Sequence, residues 1–362
     1  MIEVCDMIRK AFISLIIGMA YCGISFADNY AILISADRAT SNHDSYNAEH
    51  WNDLYLIYEY LLLEEHYDSS KVYVFYGDGT DYNNPIERYK KELHHWGQIA
   101  DYDNYFHTIQ SIVQQLNSVV TDEDNILFYW VIGHGELISN SNYDSYRAKI
   151  VHNNNTVEYV SKTNLVSLIN SITHYNKRKI IWMTCYSGAM GVGSINPNNN
   201  KTTIITSSAP DEPSYSDPNH IGNQYYCHSV FNCALFSLST GILPWETTCN
   251  LNQYCTGTAL ADSLLSLNEL YSGIGSFIHN YYGYYQHPNI FDNGNIADRI
   301  FIGEEKKLKN VLINNSKSYW VDRIELSDVT FGSNTNTILD IDVQSVIKKN
   351  TFVPTGSTLI IK

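Results

Sequence analysis

The stretch NILFYWVIGHG, residues 125–135, decides the fold. After Asn125 it runs through seven consecutive apolar residues before a glycine stops it. A run so short, continuous and rich in aromatic and β-branched side chains reads as a strand covered on both faces, because a strand with one wet face would alternate. Similar runs recur on either side: YAILIS (30–35), KVYVFYG (71–77), RKIIWMTC (178–185) and KTTIITSS (201–208). Helical patterns lie between them at about 48–65, 104–119 and 162–173, the last opened by Ser161 or Thr163 as its cap. YRAKIVHNNNTVEYV (146–160) reads as a hairpin. Strands alternating with helices predict an α/β domain built on a mostly parallel sheet.

Downstream, a helix is expected at about 258–271, and ADRIFIG (297–303) reads as a closing strand. After EEKKLKN (304–310) the texture changes. Residues 311–362 alternate apolar and polar positions between turn signals and predict a small all-β appendage, with no repeat long enough to suggest a solenoid. The segment GDGTDYNN (77–84) has oxygen ligands but no EF-hand spacing and reads as a turn.

Composition narrows the function. The 362 residues, 44% of them hydrophobic, suffice for a large core. Acidic residues outnumber basic ones 38 to 23, for a net charge of −15, and no long basic run is present, which argues against a nucleic-acid partner. Residues 1–27 have the form of a secretory signal, with Arg9 and Lys10 before an apolar stretch from Ala11 to Phe26 and a small residue at Ala27. The stretch falls short of the roughly 20 residues of a spanning helix, so no membrane span is expected once it is removed. Lipid attachment at Cys22 is an alternative that the bulky Tyr21 disfavours. The expected location is secreted, periplasmic or at the cell surface.

Removal of the signal takes away Cys5 and Cys22 and leaves five cysteines, so in an oxidising compartment one thiol stays free. Cys227, Cys233, Cys249 and Cys255 form two equally spaced pairs and are the disulfide candidates, with three connectivities open. A zinc site is the rival reading, although the gaps exceed usual ligand spacing. Cys185 stands apart.

Ligand sites of parallel sheets gather at the carboxyl ends of the strands. His134 follows one predicted strand and Cys185 ends the next main one, about fifty positions later, so the sheet can bring them together. Singly, each has an ordinary explanation: a turn histidine between glycines, and a cysteine acting as a small buried hydrophobe. Jointly they fit a nucleophile and its base. Gly135 leaves room for close backbone approach, and the amides of Gly135 and Cys185 are the natural donors to an oxyanion.

CYSGAM (185–190) resembles the Cys-x-Ser-Gly-x-Met of the legumain family, within the caspase-like clan of cysteine peptidases, and IGHG (132–135) resembles its base motif. NAEHWNDLYLIY (47–58) is similar to the family's first helix, and APDEPSYS (209–216) to the segment lining its pocket for the residue before the cleaved bond. The similarity runs in order over residues 29–304. It implies a caspase-like three-layer sandwich over 28–304, with Cys185 as nucleophile, His134 as general base and later acid, and Asn47 orienting the histidine. It also implies a substrate pocket drawn from Glu49, His50, Met183, Glu212, Ser214 and Tyr215. Asn47 reads equally well as a helix cap. The family's acidic residue two positions before the cysteine is here Met183, and its basic residue near the asparagine is Glu49, so asparagine specificity is not expected. The implied activity is a secreted endopeptidase working through a Cys185 thioester, with a peptide or protein substrate and no cofactor; transpeptidation is a close variant. The alternative is a catalytically silent surface or adhesive protein whose β-rich tail does the binding.

Overall fold

The computed structural model describes residues 27–35, 49–76, 105–131, 134–139, 142–151, 157–193, 200–221, 224–240, 243, 266–283, 285–300 and 302. Beyond these it describes the strands and some adjoining residues of a C-terminal region up to residue 361. Asn47, Cys249, Cys255, residues 1–26 and residues 77–84 lie outside the described residues.

Six strands form the central sheet in the order β2, β1, β3, β7, β8, β11. They are β1 (Asn29–Ser35), β2 (Val72–Tyr76), β3 (Asn125–Val131), β7 (Lys177–Met183), β8 (Thr202–Thr206) and β11 (Asn289–Phe291). The first five are mutually parallel, and β11 closes the edge antiparallel to β8. Helices α1 (Glu49–Leu63), α4 (Val230–Thr240) and α5 (Leu267–Phe277) supply one core with Leu33, Val74, Leu127, Tyr129, Ile181 and Ile205. Helices α2 (Tyr105–Leu116) and α3 (Lys162–Asn170) supply the other with Ile32, Ile34, Phe128, Ile180, Trp182 and Ile204. Neighbouring residues of one strand thus enter opposite cores, which is why these strands read as unbroken apolar runs. The α/β class and the mostly parallel sheet follow the sequence expectation. So does the hairpin, as β5 (Tyr146–Val151) against β6 (Val157–Ser161), with β4 (Gly135–Leu137) as a third antiparallel strand.

Three expectations are corrected. Residues 296–300 form turns rather than a closing strand: Ile296, Ala297 and Ile300 bury against the α5 side, and β11 takes the sheet edge instead. Of the helix expected at 258–271, residues 258–265 lie outside the described residues; from Leu267 it is α5, capped by a capping box of Ser266 and Glu269, and it runs past the expected end to Phe277. The C-terminal region is not an ordinary alternating appendage. Strands β12 (Glu305–Lys309), β14 (Ser318–Ser327), β16 (Asn336–Ile347) and β17 (Thr358–Ile361) pair in parallel and in chain order, and β13 (Leu312–Ile313) pairs in parallel with β15 (Thr330–Phe331). Glu305 lies beside Arg323, Ser318 beside Ile338 and Asn336 beside Thr358. The chain therefore returns to the same place about every 20 residues, the geometry of a β-solenoid.

Among the described residues no helix is long and apolar enough to cross a membrane.

Candidate active site

The strand order places the site. Because β1 lies between β2 and β3, the chain turns to one side of β1 for β2 and to the other for β3, and such a reversal leaves a crevice at the carboxyl ends. Strands β3 and β7 are neighbours with Val131 beside Met183, so they end together. His134 and Cys185 emerge at that edge.

Around Cys185 the backbone is shaped by tight contacts. Tyr186 adopts a left-handed conformation (φ 60°), which costs a non-glycine residue of order 1–2 kcal/mol, and a 3₁₀ turn over Ser187–Met190 follows. The turn is held by hydroxyls: the Ser187 amide donates to Ser208 Oγ at 3.2 Å, the Ser208 amide to Ser187 Oγ at 3.0 Å, and Ser214 Oγ to the Thr184 carbonyl at 2.8 Å. The Tyr186 amide donates to the Glu212 carbonyl at 2.9 Å. Backbone strain kept in place by such a network is characteristic of functional turns.

The half-buried Cys185 thiol points at the Ser214 carbonyl, 3.8 Å from Sγ. Burial pushes its pKa above that of an ordinary thiol, and the nearby Glu49 carboxylate adds to the rise. Hydrogen bonding from the backbone of Ser214, Cys185 and Gly135 works in the opposite direction. His134 is exposed, and its ring meets His50 edge-on with centroids 6.1 Å apart. His50 and Glu49 are both buried in the first turn of α1, which carries them to this edge.

The pocket candidates divide. Glu49 and His50 are brought to the site, and Ser214 presents its carbonyl to the thiol. Met183 is buried in the core beneath, where its sulfur accepts from Ser229 Oγ at 2.7 Å. Glu212 acts as a clamp: its carboxylate accepts from the Ala209 amide at 3.1 Å and faces the His287 ring at 2.8 Å. Tyr215 is exposed, with its amide donating to Gln286 Oε1 at 2.7 Å. Gln286 and His287 were not expected from the sequence, since residues more than seventy positions from their partners leave no local signal. Of the disulfide candidates, Cys227 lies on β10 (Gln224–Ser229) and Cys233 is fully buried within α4 among core side chains, while Cys249 and Cys255 lie outside the described residues.

With its pKa raised, Cys185 rests protonated at neutral pH. Alkylation of the folded protein by iodoacetamide should be slower at pH 7 than that of a model thiol, and its rate should climb through a pH above the ordinary thiol range. Glu49→Gln should shift that climb to lower pH; an unchanged profile would show that Glu49 does not act on the thiol.

Among the described residues no group of three or more His, Cys, Asp or Glu is placed to hold a metal ion. No family model matches the chain, and no curated protein matches its sequence. Among solved structures it is similar to the crystal structure of protein GSU0716 from Geobacter sulfurreducens, with a TM-score of 0.40 and 9% identity over 73% of this chain and 92% of that one.

Proposed function

We propose that the chain is a secreted cysteine endopeptidase of the legumain type, on a caspase-like domain. The observation that carries this reading is the pairing of β3 with β7, with Val131 beside Met183, which brings His134 and Cys185 to one edge and packs Gly135 so closely that a Cβ there would overlap the Cys185 carbonyl oxygen. As a peptide binds, His134 takes the thiol proton and Sγ attacks the carbonyl carbon. The negative oxygen that forms is stabilised by the Gly135 and Cys185 amides, an interaction worth roughly 3 kcal/mol of barrier per donor. His134 then gives the proton to the departing amine as the C–N bond breaks, leaving a Cys185 thioester. Water, losing a proton to His134, cleaves the thioester and restores the thiol; an amine in place of water gives transpeptidation. Glu49 at the site edge, with no family-type acidic residue at Met183, favours an apolar or basic side chain before the cleaved bond over asparagine.

The raised thiol pKa favours the second reading, a catalytically silent binding protein whose C-terminal β-solenoid carries the function. One experiment separates the two. The protein is treated at neutral pH with a peptidyl electrophile selective for thiols, and incubated with a peptide mixture with and without an amine acceptor. Endopeptidase action predicts one adduct, on Cys185, and cleaved or amine-capped products by mass. Cys185→Ala should lose both, and His134→Ala should slow cleavage by about 10²–10⁴. Cleavage that persists in Cys185→Ala would sink the assignment.

A further inference from the structure

A cavity of about 550 Å³ opens beside the candidate site, within the roughly 300–1,000 Å³ range of small-ligand pockets. Four ring side chains line it: Tyr271 on α5, His279 on the turn of π-helix that extends α5 over Ile278–Tyr282, and Tyr285 and His287 on the segment leading into β11. The His279 and Tyr285 rings are 5.3 Å apart and tilted by 55°, forming a corner open to a third ring. Tyr285 is 74% exposed, so its ring is open to a ligand in the cavity. Gly275 forms part of the wall, and a Cβ placed there would meet nothing within 4 Å.

The cavity is tied to the thiol through two short links. Gln286, in its wall and buried, accepts from the Tyr215 amide and donates to the Ser207 carbonyl at 2.7 Å. Tyr215 is next to Ser214, whose carbonyl faces Sγ. His287 is clamped by Glu212, whose own carbonyl holds the residue after Cys185. A peptide whose attacked residue donates its N–H to the Ser214 carbonyl would run along Tyr215 and reach this cavity with a residue on the acyl side of the cleaved bond. With Glu212 already facing His287, the walls offer aromatic surface rather than net positive charge.

We propose that this cavity is a specificity subsite that takes an aromatic side chain of the substrate, on the acyl side of the cleaved bond. The proposal rests on the endopeptidase reading for its substrate, but the cavity can be probed without turnover. The full chain is given two matched peptide series, with phenylalanine or alanine scanned through the positions flanking the cleaved bond, and products are read by mass. Binding of an N-acetyl tetrapeptide amide carrying phenylalanine, and of its alanine twin, is measured in parallel by saturation-transfer NMR. Phenylalanine should be preferred by at least about tenfold at one acyl-side position. Gly275→Leu, which fills the cavity from open space, and Tyr285→Ala, which removes a wall, should each bring that ratio near one. A ratio on one preparation does not depend on how much of a variant folds. Cleavage without the preference, with it only after the cleaved bond, or with it intact in Gly275→Leu, overturns the subsite and leaves the peptidase reading. Phenylalanine-dependent binding lost in Gly275→Leu, with neither cleavage nor Cys185 labelling, overturns the peptidase reading and keeps the cavity as an aromatic site. Neither binding nor cleavage overturns both.

Discussion

Gly135→Ala should slow cleavage at Cys185 by about 10²–10³ while also destabilising the domain. A Cβ at position 135 would overlap the Cys185 carbonyl oxygen and lie 2.8 Å from Thr184 Oγ1 and 2.9 Å from the Tyr146 ring. None of these neighbours can yield. Thr184 Oγ1 donates to the Cys185 carbonyl at 3.0 Å and pairs with Tyr146 Oη at 2.7 Å, and the buried Trp182 indole donates to the same Tyr146 oxygen at 2.9 Å. The extra methyl must therefore move β4 away from the end of β7 and take the Gly135 amide with it. Overpacking of this kind costs about 1–3 kcal/mol, and loss of one oxyanion donor costs about 10²–10³ in kcat. Denaturant titration reads the first effect, and cleavage under conditions where the variant stays folded reads the second. Wild-type cleavage by Gly135→Ala would remove the amide from the proposed mechanism.

The fate of particular segments shows what the sequence could disclose. The strands were legible because both their faces are buried, and the convergence of His134 with Cys185 followed from parallel pairing alone. Residues 216–229 gave no strand signal. They form β9 (Ser216–Ile221) and β10, an antiparallel pair rich in Asn, His and Tyr and broken by Pro218, so neither alternation nor an apolar run marks them. Helix α4, buried over almost its whole surface, has no polar face to define a period. The solenoid escaped because its rungs are related by backbone pairing, without recurrence of side chains at a fixed spacing. The clamp between Glu212 and His287, like the links through Gln286, joins residues far apart in the chain and becomes visible only when the sheet edge is built. At the site, the residues set by strand ends were readable, whereas the walls supplied by distant loops were not.

The second large effect is expected behind the site. Asp53→Ala should cost about 3–5 kcal/mol and disable Cys185 labelling, although Asp53 lies in the core. Its carboxylate, fully buried, faces His228 Nδ1 at 2.8 Å and accepts from the Ser229 amide at 3.0 Å and from Asn232 Nδ2 at 3.1 Å. Asn232 in turn accepts from the Tyr129 hydroxyl, and Ser229 reaches Met183. One carboxylate thus joins α1, β10, α4, β3 and β7, and Asp53, His228, Ser229 and Asn232 are all buried. Truncation removes the carboxylate that faces the His228 ring and accepts from the Ser229 amide and from Asn232 Nδ2, leaving Asn232 Nδ2 its bond to the Asp53 carbonyl, and breaking a buried polar pair from one side is costly. Because Asp53 lies one helical turn from Glu49 and His50, the loss also frees the end of α1 that packs against His134. A double-mutant cycle with His228→Ala separates the pair from simple loss of volume. If the network sets the cost, the double variant should be less destabilised than the sum of the two singles, by about 1–3 kcal/mol in urea titration. Strict additivity, or an Asp53→Ala cost below about 1 kcal/mol, would show that α1 is held by its apolar face alone.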